Sequence, residues 1–209
     1  MPGPYAVRIR TPDGWQDIAL AGVNGLNATP PLVSVLPGSP VDGQECYFLA
    51  DATNGVLWHL RYRAGSASPY KWEVVGGSRL FAAIAASAVI ASAAGGWSDL
   101  TGSVGPSITV PLAGDYDISG GALSTWAGSA NAYHGLGANV GGTVLTLDQY
   151  TETSGAVFGG NQGLNGDARA TTVAASALIK LQYANSGGVN SATPNFANRW
   201  LEVMPVRVG

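Results

Sequence analysis

Charged side chains are scarce in this sequence. Only 11% of the 209 residues are charged, and the formal net charge is −3, whereas ordinary soluble domains carry roughly 25% charged residues. This balance provides no basic field with which to bind nucleic acid. A soluble monomer usually keeps more charge on its surface. We therefore expect this chain either to expose Ser, Thr, Asn and Gly or to cover much of its surface with copies of itself.

Cysteine and histidine are nearly absent as well. A single cysteine, Cys46, excludes an internal disulfide framework, and its strand-like context "QECYFLAD" predicts a buried, inert thiol. His59 and His134 have no metal-ligand spacing with each other or with Cys46. The alternation in "VLWHLRY" predicts that His59 lies on a strand surface opposite Trp58, and "NAYHGLG" predicts a loop around His134. The sequence therefore predicts no metal and no cofactor.

Long apolar runs are also missing. The start, "MPGPYAVRIRTPDGW", contains no apolar segment of signal-peptide length. The uncharged run "LFAAIAASAVIASAAGG" from Leu80 falls short of the about 20 apolar residues that a membrane-spanning helix needs. Alanine favours a helix here, but the large residues form no single helical face. We predict a strand over Leu80–Ile84, with the stretch up to Ala94 extended or looped against neighbouring subunits.

Residue patterns typical of catalysis are missing too. "GLGANVGG" resembles a dinucleotide-binding loop only loosely, because no strand–helix unit surrounds it. No serine lies in a G-x-S-x-G motif. Asp115 and Asp117 share a strand face and could pair for Ca²⁺ or for acid–base work, although exposed strand-end charges explain them better. Without a cluster of ionisable groups, we predict that the protein is not an enzyme.

Strand-like segments separated by turn residues make up most of the chain. "YAVRIRT" and "WQDIAL" flank Pro12–Gly14 and predict a hairpin, and the proline-rich stretch Ala28–Pro40 predicts an extended connector. Asn54-Gly55 predicts a two-residue type I′ turn within a small meander from Gln44 to Val75. These segments and the later ones predict an all-β chain that ends in a sandwich or jelly roll.

Three aromatic residues lie in surroundings rich in Gly, Ser and Asn that predict loops: Trp126, Tyr133 and Tyr150. Rigid aromatic side chains among small polar residues are suited to binding sugars or protein surfaces. Packing against neighbouring subunits is the equally weighted alternative. We take these three residues as candidates for receptor binding.

Two parts of the sequence resemble known families. "LPGSPVDGQECYFLADATNGVLWHLRYRAGSASPYKWEVVGG", from Leu36 to Gly77, resembles a segment of tail-fibre and other minor structural proteins of tailed phages of actinobacteria. "LFAAI" followed by "GPSITVPLAGDYDISGGA" resembles the trimeric jelly roll of complement globular heads and tumour-necrosis-factor-like domains, in which a Gly-x-Tyr strand corresponds to Gly114–Tyr116. "SALIKLQYANSGG" and "RWLEVMPVRV" are similar to the closing strands of phage versions of that domain.

These resemblances imply three regions: a virion-attachment hairpin (1–27), a proline-rich connector with a small β-meander (28–79) and a trimeric jelly-roll knob (80–209). They imply a homotrimeric tail-fibre or tail-tip protein of the virion, assembled in the host cytoplasm and released by lysis. Its implied partners are other virion proteins, through the N-terminal region, and a host cell-surface glycan or protein.

A trimeric head fibre or capsid decoration is the alternative within the same class. A glycan-active enzyme is less favoured, because the sequence shows no convincing pair of acidic residues. Nucleic-acid binding and membrane insertion are not expected.

Overall fold

Every regular element that the computed structural model describes is a β-strand, which confirms the all-β prediction. The described residues are 6–11, 14–19, 29–90, 96–126, 133–151, 160–185 and 194–209. No helix in this part of the chain is both long enough and apolar enough to cross a bilayer. The chain divides into two compact units, Met1–Pro31 and Leu32–Gly209.

The first unit contains the predicted hairpin. Strands β1 (Ala6–Thr11) and β2 (Gly14–Ala19) pair antiparallel, and Thr11 lies opposite Gly14. This register leaves two residues to connect the strands, the shortest common hairpin connection. The hairpin is confirmed, and its role in attachment to a virion stays a prediction.

The second unit contains the remaining strands: β3 (Leu32–Val33), β4 (Glu45–Asp51), β5 (Val56–Tyr62), β6 (Trp72–Gly77), β7 (Leu80–Ile84), β8 (Ala88–Val89), β9 (Trp97–Ser98), β10 (Ser107–Thr109), β11 (Gly114–Trp126), β12 (Tyr133–Val140), β13 (Thr143–Thr151), β14 (Gly160–Val173), β15 (Leu178–Asn185) and β16 (Asn195–Val208). Within the described residues they form two sheets. The nine-stranded sheet has the order β14-β11-β16-β6-β5-β4-β3, with β7 and β8 also paired to β16. The five-stranded sheet has the order β10-β15-β12-β13, with β9 paired to β15.

The path of the chain between these sheets is that of a jelly roll. Strands β7, β11, β14 and β16 belong to one sheet, and β10, β12, β13 and β15 belong to the other. These eight strands pair antiparallel, and the chain crosses repeatedly between two packed sheets, as an eight-stranded jelly roll does. The predicted β-sandwich is confirmed, and the trimeric state stays a prediction.

Strand alternation places the core between the two sheets. On β16, Leu201 and Val203 are completely buried, and on β15 Leu181 and Tyr183 are too. Burying a large apolar side chain stabilises a fold by roughly 1.5–3 kcal/mol. The Gly-x-Tyr motif contributes Tyr116, which is also fully buried and whose hydroxyl donates to the Leu112 carbonyl at 2.6 Å.

The meander continues the nine-stranded sheet, and the predicted boundary between residues 79 and 80 does not separate two compact units. Strands β4, β5 and β6 pair antiparallel as expected, but β6 then pairs with β16, with Trp72 opposite Val208. The fully buried Trp58 lies 5.9 Å from the Phe48 ring and 6.3 Å from that of Tyr116. A shared core thus joins meander and jelly roll, which sequence patterns of single segments do not reveal.

The predicted type I′ turn at Asn54-Gly55 is wrong. Gly55 has a φ of 67°, but Asn54 does not have positive φ, and the connection runs over four residues from Asp51 to Val56. The Asp51 carboxylate accepts backbone N–H groups of Thr53 at 2.8 Å and Asn54 at 3.1 Å. An aspartate whose side chain accepts hydrogen bonds from the backbone amides two and three residues later favours this longer turn over a two-residue turn.

The predicted strand over Leu80–Ile84 is confirmed as β7, which pairs with β16. Leu80 is buried, whereas Phe81 is 58% exposed, as alternation on a strand requires. Farther on, β8 also pairs with β16, and Ile90 forms a bridge to Leu100. The Ala/Ser stretch is extended at Ala88–Val89, and residues 91–95 lie outside the described part.

Candidate functional site

The three candidate aromatic residues lie at one end of the sandwich, on strands and not in loops as predicted. Trp126 ends β11 opposite Gly160, Tyr133 begins β12 opposite Thr151, and Tyr150 lies on β13 opposite His134. We call this end of the sandwich the loop end. The loop prediction was wrong because strand pairing continues through these polar, small-residue segments. The side chains of Trp126 and Tyr133 lie outside the described residues.

Tyr150 lies at the edge of the core. Its side chain is half-buried and packs against the hydrophobic core. The Tyr150 ring meets the His134 ring edge-on, with centroids 6.4 Å apart. Its position opposite the buried His134 directs it toward the interior of the sandwich, so part of Tyr150 serves packing.

A serine–histidine pair is buried beneath the loop end. Ser124 Oγ, from β11, lies 2.6 Å from His134 Nδ1, from β12, so one hydrogen bond joins the two sheets. Both residues are completely buried. The predicted loop position of His134 is therefore wrong. Alternation on β12 places His134 and Leu136 inside the sandwich, while Gly135 belongs to the opposite face.

Burial governs the chemistry of this pair. It lowers the pKa of His134 to about 4, because an imidazolium loses its hydration in an apolar interior. In the tautomer that carries its proton on Nε2, Nδ1 accepts the Ser124 hydroxyl proton. A base beside a hydroxyl is one element of nucleophilic catalysis, but neither atom of this pair is open to solvent.

Two further polar side chains are buried near this end. Asn185 lies opposite His134 on β15, and neither polar atom of its amide has a hydrogen-bond partner among the residues that the structure describes. Arg199 of β16 is 1% exposed and donates to the Ala86 carbonyl at 3.0 Å and to Ser103 Oγ at 3.4 Å. Unpaired buried polar groups each cost roughly 1–3 kcal/mol, so the loop end is a polar interruption of an apolar core.

Sequence reasoning missed Ser124, Asn185 and Arg199. Ser124 and His134 are ten residues apart on different sheets, and no motif spacing connects them. The alternation of Arg199 with the buried Leu201 was the one available signal that Arg199 points inward.

The remaining polar candidates have structural partners. Arg169 contacts both carboxylate oxygens of Asp117, at 2.8 and 2.9 Å, on an exposed face. Asp115 accepts the backbone N–H of Thr172 at 3.0 Å. His59 lies on the strand surface as predicted, 2.8 Å from Glu45. In the described ranges, no group of three or more His, Cys, Asp or Glu residues is placed to hold a metal ion.

Cys46 is fully buried, as predicted. Desolvation by that burial raises the pKa of its thiol, which disfavours the reactive thiolate.

Comparison with known proteins gives similarity at the level of solved structures. No protein-family model and no curated protein matches the sequence. A structure of infectious bursal disease virus, Gx strain, is 15% identical, with a TM-score of 0.38 over 74% of this chain and 45% of that chain. The VP2 subviral particle of the same virus is 17% identical, with a TM-score of 0.31 over 71% of this chain and 42% of that chain.

The chain thus spans less than half the length of these viral particle proteins. Because the identities and TM-scores are low, the fold assignment rests on the strand order of this chain.

Proposed function

We propose that this chain is a structural protein of a phage virion: a homotrimeric tail-fibre or tail-tip protein whose jelly roll binds the host surface. The resemblance of Leu36–Gly77 to minor structural proteins of tailed phages supports the virion role. The jelly-roll strand order agrees with the fold that the second resemblance implies. The observation that carries the trimeric assembly is an apolar patch on the outward side of the nine-stranded sheet.

This patch, the outer apolar face, is defined by Phe81, Leu123, Trp200, Met204 and Val206. Phe81 is 58% exposed, and the other four are partly exposed. They lie on three neighbouring strands, β7, β16 and β11. On β7 and β16 they alternate with buried residues such as Leu80 and Leu201.

Trp200 widens the outer apolar face by lying across a neighbouring strand. It is opposite Gly121 of β11, and a Cβ atom at that glycine would overlap the indole, approaching Cε2 to 2.6 Å. Glu202, which is ion-paired with Arg79, interrupts this face: it lies between Trp200 and Met204 on β16 and is opposite Phe81. Exposed apolar patches flanked by polar residues mark interaction surfaces. In a chain with so little charge, a second copy of the chain is the occupant that we propose.

We propose that the knob is not catalytic. The Ser124–His134 pair is enclosed by both sheets, so a substrate could reach it only if the loop end opened. An active-site-directed fluorophosphonate should leave Ser124 of the folded protein unlabelled, and purified host cell wall should release no sugar. Sugar release would replace this proposal with the glycan-active enzyme, and labelling of Ser124 would show that the buried pair is accessible.

Host adsorption tests the proposed contact residues at the loop end. Trp126→Ala and Tyr133→Ala should each weaken adsorption of the purified trimer to host cells by about 2 kcal/mol, the cost typical of an aromatic hot spot. Tyr150→Ala should also lower stability, since that ring packs on His134. Tyr70→Ala is the matched control, because Tyr70 lies at the opposite end of β16. A Cβ atom added at Gly209 would lie 3.4 Å from the Tyr70 ring. Equal adsorption by all variants would show that these aromatic residues do not contact the host surface.

Immunogold electron microscopy of intact particles tests the virion role and its location. The proposal expects gold particles at the tail fibres or tail tip. Labelling of the head would establish the decoration alternative, and particles without any label would contradict a virion protein. Crosslinking of the first unit, Met1–Pro31, should then identify the virion proteins that hold the trimer.

A further inference from the structure

Trp97 lies across the outward side of the five-stranded sheet. Its strand, β9, pairs with β15 so that Trp97 is opposite Ala184, and Ala184 is opposite Gly135 of β12. A Cβ atom at Gly135 would lie 3.0 Å from Trp97 Cη2, and one at Gly137 would lie 2.9 Å from Cζ3. The indole therefore reaches from β9 over β15 to β12.

Small residues make this arrangement possible. Two strand spacings amount to about 9.5 Å, so an indole that reaches β12 extends along the sheet and does not stand away from it. Ala184, Gly135 and Gly137 form the floor beneath it, and a larger side chain at either glycine would collide with the ring. Trp97 remains half-buried, so part of its side chain is open to solvent.

A hydrogen-bonded row of polar side chains borders the indole on the same face. Gln182, opposite Gly137, accepts from Asn139 Nδ2 at 2.9 Å and donates to Asp99 Oδ1 at 3.3 Å. Lys180 donates to Asp99 Oδ2 at 2.6 Å. These contacts fix the orientation of the amides before any ligand arrives, and the lysine balances the charge of the aspartate.

Two polar residues of β13 border the other side of the indole. Gln149 is opposite Gly135 and Thr146 is opposite Gly137, and both are exposed. The platform formed by Trp97 and its polar border thus presents one aromatic surface between amide, hydroxyl and carboxylate groups.

We propose that this platform binds a neutral sugar residue of a cell-surface glycan. The apolar C–H face of a pyranose fits an aromatic ring, and sugar hydroxyls both donate and accept, as the side-chain amides do. The internally balanced Lys180–Asp99 pair gives no excess positive charge for a phosphate or sulfate group. A protein partner would need about 800 Å² of contact with an apolar centre, far more than one indole provides.

This inference rests on the proposed host-surface binding and names its ligand class. The platform would form a second contact surface beside the loop end, because Gly135, which lies beneath the indole, is two residues from Tyr133 on β12. A purely structural Trp97 would cover the glycine floor but would give no reason for the exposed Gln149 amide and Thr146 hydroxyl on β13.

Binding of the full-length protein to a printed panel of neutral oligosaccharides tests the proposal. The panel contains oligomers of glucose, galactose, mannose, arabinose and N-acetylglucosamine, with a heparin oligosaccharide as the sulfated comparison. At least one neutral oligosaccharide should bind, and titration calorimetry should show at least tenfold weaker binding for Trp97→Ala and for Gln149→Ala. Gln149 is exposed, so its loss leaves the fold intact even if the Trp97 variant is unstable.

Gln162→Ala provides the matched control, because Gln162 lies on β14 of the other sheet and its side-chain amide donates to the neighbouring Gly163 carbonyl. The binding of this variant should equal that of the wild type. No binding to any neutral oligosaccharide, binding to heparin alone, or unchanged affinity in Gln149→Ala would overturn the proposal.

The outcomes separate this inference from the proposed function. If the protein is found on virions and adsorbs to host cells but binds no oligosaccharide, the sugar-binding proposal is wrong and the proposed virion role is retained. Oligosaccharide binding that depends on Gln149, in a protein absent from particles, would do the reverse.

Discussion

The two sheets of the sandwich have similar interiors and different exteriors. Inside, both contribute fully buried side chains, such as Leu201 from the nine-stranded sheet and Leu181 from the five-stranded sheet. Outside, the nine-stranded sheet presents the outer apolar face around Phe81 and Trp200. The five-stranded sheet presents hydrogen-bonded Asn139, Lys180 and Gln182 around a single tryptophan.

This difference indicates what each exterior contacts. An apolar exterior lowers its free energy when a copy of the chain covers it, by roughly 25 cal/mol for each Å² of apolar surface removed from water. A polar exterior gains little from burial, because its amides and charges already bond to one another or to water. We therefore expect the nine-stranded sheet to hold the assembly together and the five-stranded sheet to remain open to ligands.

The largest expected effect tests whether the meander belongs to the sandwich core. Trp58 is fully buried, and its Nε1 donates to the Ser78 carbonyl at 3.1 Å. Trp58→Ala should lower the free energy of unfolding by about 4 kcal/mol, through a single transition in urea at fixed protein concentration. Leu57→Ala, at the neighbouring outward position, should cost less than about 1 kcal/mol. A separate early transition with an unchanged main one would mean that the meander folds alone.

The next effect tests how closely the two sheets approach at one edge. A Cβ atom on Gly166 of β14 would overlap the Leu147 carbonyl of β13, which belongs to the other sheet. Gly166→Ala should therefore destabilise the fold by about 3 kcal/mol. Gly163→Ala on the same strand meets nothing within 4 Å and should change stability by less than about 0.5 kcal/mol. If the Gly166→Ala and Gly163→Ala variants have the same melting curve, this contact between the sheets is contradicted.

A smaller effect tests the polar interruption between the sheets. The folded pKa of His134 is about 4, below its ordinary value of 6.5, so the unfolded chain binds the proton more tightly. Protonation thus favours unfolding, and between about pH 7.5 and pH 5 stability should fall by about 2 kcal/mol.

His134→Leu should remove this pH dependence, whatever its effect on stability at neutral pH. His59→Gln should retain it, because His59 lies on the surface beside Glu45. Urea titrations at several pH values measure both. The assignment is wrong if the slope disappears with His59 instead.

The smallest effect concerns the polar part of the outward side of the nine-stranded sheet. The Asp117 and Arg169 side chains are about half-exposed, and water screens the attraction between exposed charges. Asp117→Asn should therefore leave the melting temperature nearly unchanged in a thermal melt. Adding Ca²⁺ should leave the melting temperature unchanged, whereas a rise of several degrees would establish the calcium site considered for Asp115 and Asp117.

Much of the fold could be predicted from the sequence because strand alternation is a local property. The hairpin, the meander and the Leu80–Ile84 strand all follow from short apolar patterns and turn residues. The union of meander and jelly roll could not be predicted, since it depends on Trp58 meeting Tyr116 across 58 residues. The Asn54-Gly55 turn failed for a local reason, because the Asp51 carboxylate selects a longer connection.

The candidate site was less predictable. Composition identified Trp126, Tyr133 and Tyr150 as unusual, but it could not show that Tyr150 packs against His134. Nor could it bring Ser124 to His134, or Trp97 over Gly135, because each pair forms only when strands distant in sequence become neighbours.

Light scattering of the full-length protein at micromolar concentration tests the central claim most directly, namely that the outer apolar face holds copies together. The wild type should have about three times the chain mass of 21.2 kDa. Phe81→Glu should have the mass of one chain, whereas Leu178→Glu, at a 48% exposed position of the other sheet, should remain trimeric. A monomeric wild type, or a Phe81→Glu variant that stays trimeric, would contradict this claim.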